Sequence, residues 1–439
     1  MEEYKDSGIK WIGKIPQNWE MKHFKYIVSE KVDNRGRTPE IDENDEGMPI
    51  IELDAIGNKH PDVSVAKKFI NEKSYKKYIR KDIKSGDILF GTVGSIGKCS
   101  IVPKDFNYCI AQNIVGYRFN KHQDQLFWYY YFKSEPFKQM YLQYNKGNIQ
   151  DSIKISDMEQ GIVIVPPLDE QRIISKFLDD NISKIDYVLK NLNKQIDILD
   201  NYKRSIITEK IINTYKCDMS NNKYKYFDNI PSEYVKRFKD FFETSTGLNI
   251  TKEDLIDDGL NIISYGQIHS KSNKTTHLLG DLLRYVDYKY ETIIKSKVKI
   301  GDFIFADTSE DLEGVGNCVL NDNNMNLYAG YHTIIAIPKD RRYSKYLAYL
   351  FMTDYWRSQL REVVNGVKVY SITQQILKNT KIIVPQLDTI NDITNYLDIE
   401  CKKIDELIQN KQLQIEKLEI YKQSLIYEYV TGKKRVKGE

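Results

Sequence analysis

One stretch of this chain is written twice. It runs from Val163 to Ile211, opening VIVPPLDEQRIISKFLDD and closing ILDNYKRSIITEKI. It returns from Ile382 to Val430 as IIVPQLDTINDITNYLDI, closing KLEIYKQSLIYEYV. Pro166 matches Pro385, an offset of 219 (385 − 166) that holds without a gap to the end of the repeat. Roughly twenty of about fifty aligned positions are identical, which marks an internal duplication. They include Asp186/Asp405, Gln195/Gln414, Tyr202/Tyr421 and Lys203/Lys422.

Each copy reads as a long helix. Leu178, Ile182, Ile185, Leu189, Leu192, Ile196 and Leu199 alternate steps of four and three, which is a coiled-coil seam. Pro166 and Pro167 place the start of the helix after them. Asp169 is the expected N-cap, and Leu168 with Ile173 has the spacing of a hydrophobic staple. The second copy keeps the seam with Leu397, Ile404, Ile408, Ile415 and Leu418. It carries Cys401 and Lys411 at two seam positions, where looser packing is expected.

The rest of the chain duplicates as well. Ile230-Pro231 answers Ile15-Pro16, and Gly301 to Phe305 answers Gly86 to Phe90, both at 215. Tyr349-Leu350-Phe351 answers Tyr130-Tyr131-Phe132, and Asn365-Gly366 to Ile372 answers Lys146-Gly147 to Ile153, both at 219. The change of offset places about four extra residues in the middle loop of the second globule. The chain is therefore divided into a globule at 1–165, a helix at 166–214, a second globule at 215–384, a second helix at 385–432 and a basic tail at 433–439. Short strands bounded by turns make each globule α+β, with one aromatic helix from Leu126 to Tyr144 in the first. The expected architecture is two globular domains in tandem, separated by two long helices. If the seams pack together they run antiparallel, with pseudo-twofold symmetry and the C-terminus returning to the N-terminus.

A chain of 439 residues is too long for one core. Its 65 basic and 62 acidic side chains give a net charge of only +3, which excludes a histone-like polycation. Five scattered cysteines without CxxC pairs, a polar N-terminus and no long apolar run point to a reduced, cytoplasmic protein without a membrane segment.

Catalytic signatures are missing. The loop from Phe90 to Cys99 looks like a phosphate loop, but Gly91 and Gly97 are spaced one residue too far and Cys99 stands where the magnesium-binding hydroxyl belongs. A glycine-rich hairpin turn is the simpler reading, and it could still bring Ser95 and Lys98 to a phosphate backbone. The six histidines form no HxxxH pair, no GxSxG elbow appears, and the Glu-x-Lys triplets at Glu20–Lys22 and Glu400–Lys402 are of a kind common by chance. No metal and no cofactor is expected. What remains is a two-ended binding device, and double-stranded DNA matches its symmetry. Polar loops supply donors for phosphates and base edges. In the first globule these are Arg35, Arg37, Gln112, Asn113, Lys146, Asn148 and Gln150. In the second they are Asn249, Lys271, Asn273, Lys274, His332, Asn365 and Lys368. The competing readings are a duplicated coiled-coil scaffold joining two protein ligands and, less favoured, a fused nuclease.

With Gly36-Arg37-Thr38-Pro39, Gly147 followed by Ile153, and Val165-Pro166-Pro167-Leu168-Asp169-Glu170-Gln171 with Ile174 and Leu178, the chain resembles the specificity subunit of type I restriction–modification enzymes. The likeness spans the whole chain. The second repeat departs from it, with Gln386 for the second proline and Thr389-Ile390 for Glu-Gln. The resemblance implies two target-recognition domains, each reading half of a split DNA site. It also implies a helix pair that fixes the spacer and docks two methyltransferase subunits, with restriction subunits joining them. Catalysis would belong to those partners. On this reading Tyr202, Lys203, Ser205, Tyr421, Lys422 and Ser424, kept in both copies, are candidates for methyltransferase docking, against a role in intramolecular helix packing.

Overall fold

The computed structural model describes residues 3–36, 40–41, 47–143, 153–214, 230–270, 272–364 and 369–436. The chain forms two compact units. Unit 1 comprises residues 1–193 with 412–439, and unit 2 comprises residues 194–411. The boundary cuts both long helices, so each unit is one globule plus a segment of each helix.

Unit 1 is built on a four-stranded antiparallel sheet of β1 (Val28–Val32), β2 (Ile88–Gly91), β3 (Cys99–Ile101) and β4 (Ile114–Phe119), in the order β1-β4-β2-β3. Unit 2 repeats it with β5 (Phe242–Thr246), β6 (Phe303–Ala306), β7 (Cys318–Leu320) and β8 (Thr333–Pro338), in the order β5-β8-β6-β7. Register is repeated too: Phe90 faces Cys99, and Phe305 faces Cys318. The offset is 215 at Phe90/Phe305 and 219 at Cys99/Cys318, so the four extra residues lie in the loop after the second strand. A Gly-Asp turn launches that strand in both units. Gly86 and Gly301 hold φ of 85° and 87°, a region that favours glycine. The buried Asp87 and Asp302 carboxylates accept the backbone N–H of Lys84 and Lys299, at 2.7 and 2.9 Å. Further sheets complete the globules, one of them five-stranded in unit 2.

The aromatic run of the first globule is broken where one helix was expected. α1 (Gln125–Phe132) stops, and a second helix begins at Glu135 with Pro136 in its first turn. Proline has no N–H to give an upstream carbonyl, and it suits a helix start instead. α1 buries Phe127, Trp128, Tyr129, Tyr130, Tyr131 and Phe132 almost completely, and it packs with the sheet and the long helices in a single core. In unit 2 the equivalent helix α3 (Ser344–Met352) does the same. Between them in sequence lies α2 (Leu168–Asn213, 46 residues), and the last helix is α4 (Leu387–Val430, 44 residues).

α2 starts one residue earlier than its expected cap. The Pro167 carbonyl already accepts the Gln171 N–H at 2.9 Å, so Asp169 sits inside the first turn, where its charge favours the helix dipole. Ile173 is half exposed, so it does not serve as the expected staple. Two other residues of the motif fasten this end. Gln171 is fully buried; its Nε2 donates to Pro166 O (2.8 Å) and Gln123 Oε1 (3.1 Å), and its Oε1 accepts from Asp124 N. Glu170 accepts from Trp19 Nε1 at 2.8 Å and pairs with Arg435 at 3.1 Å. In the second copy Ile390 replaces Gln171 and joins the apolar core of unit 2.

Within each unit the two helix segments run antiparallel. In unit 1 Phe177 meets Tyr429, with ring centroids 4.5 Å apart, and Asp186 pairs with Lys422. In unit 2 Lys203 pairs with Asp405 at 2.6 Å, and Lys411 donates to Gln195 at 2.6 Å. The loose seam expected at Cys401 and Lys411 is not what forms: Cys401 is buried in the core, and Lys411 has a polar partner across the seam. The C-terminal segment returns to the N-terminal one in unit 1. Lys433 Nζ donates to the carbonyls of Ile12 (2.6 Å) and Lys14 (2.5 Å), and Tyr4 Oη to that of Gly432. Among the described residues no helix is long and apolar enough to cross a membrane.

Candidate nucleic-acid interface

Antiparallel pairing decides which loops meet. Val32 faces Gly116, and Gly91 faces Ile114. The loop after β1, the glycine-rich loop after β2 and the turn before β4 therefore gather at one end of the sheet. In unit 2, Thr246 faces Ile334 and Ala306 faces Thr333, which gathers the corresponding loops. The same bonds brace both ends. Thr92 N–H donates to Asn113 O (3.0 Å), and Asp307 N–H to His332 O (3.1 Å). The Thr92 and Asp307 carbonyls then accept from Ile153 and Ile372 N–H, at 3.0 and 2.7 Å.

This end collects Arg35, Ser95, Lys98, Gln112 and Asn113 in unit 1, and Asn249 and His332 in unit 2. Ser95, Lys98, Asn249 and His332 are exposed. Arg35 is engaged locally, with Nε and Nη2 both 2.9 Å from Asp33. Burial pushes the Asp33 carboxyl up, but the Arg35 guanidinium and backbone N–H outweigh it and hold the group below the usual range. Lys98 Nζ reaches Leu53 O at 3.3 Å. His332 has φ of 54°, the one non-glycine in the left-handed region among the described residues, and its Nδ1 lies 3.3 Å from Asp307. Arg37, Lys146, Asn148, Gln150, Lys271, Asn365 and Lys368 lie outside the described residues.

Two candidates face elsewhere. Asn273 Nδ2 donates to Ile268 O (2.8 Å) and Cys318 O (3.1 Å), and Lys274 pairs with Asp200 of α2. Asn273 thus braces the loop within the globule, and Lys274 ties the globule of unit 2 to its helix. Asn58-Lys59 stands at the equivalent place, at offset 215, and Lys59 pairs with Asp179 of α2 at 2.5 Å. That repetition was the available signal. The tyrosines after them were missed as well. Tyr130 Oη donates to Asp179 and Tyr349 Oη to Asp398, both at 2.8 Å, one 219 residues after the other.

The unit 2 loop is longer and differently charged. Residues 307–317 carry Asp307, Glu310, Asp311 and Glu313, where residues 92–98 carry only Lys98. A chain of bonds pins it from behind. Arg357 Nη1 donates to Asn317 Oδ1 (2.7 Å), and Asn317 Nδ2 donates to His269 Nδ1 (3.1 Å). That leaves the His269 Nε2–H to donate to Thr308 O (2.8 Å).

The helix candidates separate into two kinds. Lys203 is buried; its ammonium donates to both Asp405 oxygens and to Lys274 O, and its repeat equivalent Lys422 pairs with Asp186. These are one bond made twice, since 186 and 203 each gain 219 to give 405 and 422. Both lysines are engaged in intramolecular helix packing, the alternative role weighed for them. Tyr202, Ser205, Tyr421 and Ser424 are exposed. Val188 and Leu407, again repeat equivalents, are exposed apolar residues of the same helices.

Known proteins are similar along the whole chain. A family model described as the type I restriction modification DNA specificity domain matches residues 16–198 and 231–417. The type I restriction enzyme MjaVIII specificity subunit of Methanocaldococcus jannaschii is 24% identical, over 100% of this chain and 98% of that protein. The putative MjaX specificity subunit of the same organism is 23% identical, over 100% and 99%. In a solved structure concerned with complex assembly and conformational transition of the type I R-M system, one chain shares the fold at a TM-score of 0.63 and 14% identity, covering 95% of this chain and 98% of that one.

Proposed function

Because the chain belongs to the type I restriction–modification DNA specificity family, we propose that it reads a split, asymmetric DNA site, one unit per half-site, and that it lends this specificity to a methyltransferase without catalysing the reaction itself. The observation that carries this reading is the twice-made sheet end, where an identical bonding frame presents unlike loops. The frame fixes how a loop meets a duplex, and the loop side chains decide which base edges it accepts. Ser95 and Lys98 suit phosphates and bases in one half. The acidic unit 2 loop cannot sit against phosphates at low cost, so its unit reads a different half-site. A scaffold without DNA has no use for such a frame.

Two methyltransferase subunits dock on the exposed faces of the long helices. Tyr421 and Val188 mark that face in unit 1, and Tyr202 and Leu407 mark the equivalent face in unit 2. Aromatic residues exposed on a rigid helix are efficient interface anchors. The helices set the spacer, and restriction subunits join the assembled methyltransferase.

The test is methylome sequencing of a methylation-free host expressing this chain with its methyltransferase. A new motif of two short defined parts around a fixed gap is expected. Exchanging residues 1–165 for those of another family member should then change one part only. A change in both parts, or no new methylation despite a stable complex, refutes the reading.

A further inference from the structure

Unit 1 contains a cavity of about 510 Å³ where the globule meets both long helices. Its walls include Lys59, Lys133, Lys422, Asp186, Tyr129 and Tyr130. Two of the three cations are neutralised: Lys59 by Asp179 at 2.5 Å, and Lys422 by Asp186. Lys133, just past the end of α1, pairs with no carboxylate among the described residues. Its ammonium donates to Gly57 O at 2.8 Å and lies 5.1 Å from the centre of the Tyr129 ring. The lysines of this cavity therefore outnumber the carboxylates paired with them by one, and burial makes the unpaired charge of Lys133 costly.

The repeat supplies an internal control. At the position of Lys133 unit 2 has Met352, and at that of Tyr129 it has Ala348. There the ammonium of Lys203, the counterpart of Lys422, is buried between Asp405 and the Lys274 carbonyl. Unit 2 thus seats its lysine between a carboxylate and a carbonyl, while unit 1 adds a further cation at the corresponding place.

We propose that this cavity is a binding site for a small free oxyanion of the phosphate or short polycarboxylate class, held chiefly by Lys133. The volume lies in the range of small-ligand sites. Tyr129 and Tyr130 are buried almost completely, so they offer polar edges and no stacking face, which disfavours a nucleobase or other flat ring. A bound anion would link the 57–59 loop, the end of α1 and α4 of unit 1 through three lysines. Burial lowers the pKa of Lys133 below its ordinary value, and an anion would reverse that.

The site stands apart from the DNA reading, and so does its test. Isothermal titration of the full chain with pyrophosphate, at ionic strength fixed with sodium chloride, should show one saturable site. Lys133→Met, the residue unit 2 already carries, should weaken it at least about tenfold, the usual effect of removing one partner from a buried charge pair. Lys133→Arg should retain it. Asp186→Asn, which frees Lys422, should tighten it, and this variant keeps the proposal testable should Lys133→Met fail to fold. Absence of saturable binding, equal binding by Lys133→Met, or weaker binding by Asp186→Asn overturns the proposal.

Discussion

Lys203→Met and Lys422→Met remove the same residue from the same repeat, yet they should differ severalfold in cost. Lys203 has a side chain only 5% exposed, with bonds of 2.6 and 2.8 Å to Asp405 and 3.0 Å to Lys274 O. Breaking a fully buried pair costs about 3–5 kcal/mol, because the other charge is stranded. Asp405 is 38% exposed, so water recovers part of that loss, leaving about 2–3 kcal/mol. Lys422 and Asp186 are 19% and 51% exposed, which makes their pair worth about 0.5–1 kcal/mol. For a unit of this size each kcal/mol moves the midpoint by about 2–4 °C. Calorimetry, with hydrogen exchange to assign each transition to its unit, should therefore show Lys203→Met lowering unit 2 by about 4–12 °C and Lys422→Met lowering unit 1 by about 1–4 °C. Adding Asp405→Leu to Lys203→Met should restore a large part of the loss. Equal shifts for the two lysines, or none for Lys203→Met, would refute the burial argument.

Gln171→Leu strands the Pro166 carbonyl and the Asp124 N–H, and it should destabilise unit 1 by about 2–4 kcal/mol in urea unfolding. Tyr130→Phe and Tyr349→Phe each remove one bond to an aspartate that keeps its lysine, so about 1 kcal/mol is expected from each, and similar values in the two units would confirm the repeat. Lys133 binds its proton less tightly in the folded state than in the unfolded one. The resulting penalty is complete below its lowered pKa and disappears as pH rises through that value towards about 10.5. Unit 1 should gain stability across this alkaline window in pH-dependent melting, and Lys133→Met should lose that gain. Alanine at Tyr202 and Tyr421 should reduce co-purification of the methyltransferase at least about tenfold while leaving both melting transitions in place. Retained association would move the docking face elsewhere.

Periodicity made the helices legible, and the shift of offset from 215 to 219 located the divergent loop, because both depend only on spacing. Partners across space were harder. Lys203 and Lys422 read as surface cations because a lysine shared by two copies can face inward or outward. The clue lay in Asp186 and Asp405, equally shared and on the other side of each helix midpoint, where an antiparallel partner brings aspartate to lysine. Asn273 and Lys274 read as DNA donors for a similar reason. Polar loop residues carry no sign of whether their donors meet a nucleic acid or the backbone next door. The break at Ser134-Glu135-Pro136 was visible, but the aromatic density on both sides masked it.

The way each long helix is divided between units has a consequence for synthesis. Unit 2 is one uninterrupted stretch, and a ribosome completes it before making residues 412–436. Until those residues emerge, the apolar core around Ile12 and Trp19 lacks Leu425, Ile426 and Val430, which pack into it. A growing chain therefore carries a finished unit 2 beside an unfinished unit 1, whose exposed core is a target for chaperones and proteases. A chain cut short before residue 425 would carry a first domain that, although translated in full, has never been closed.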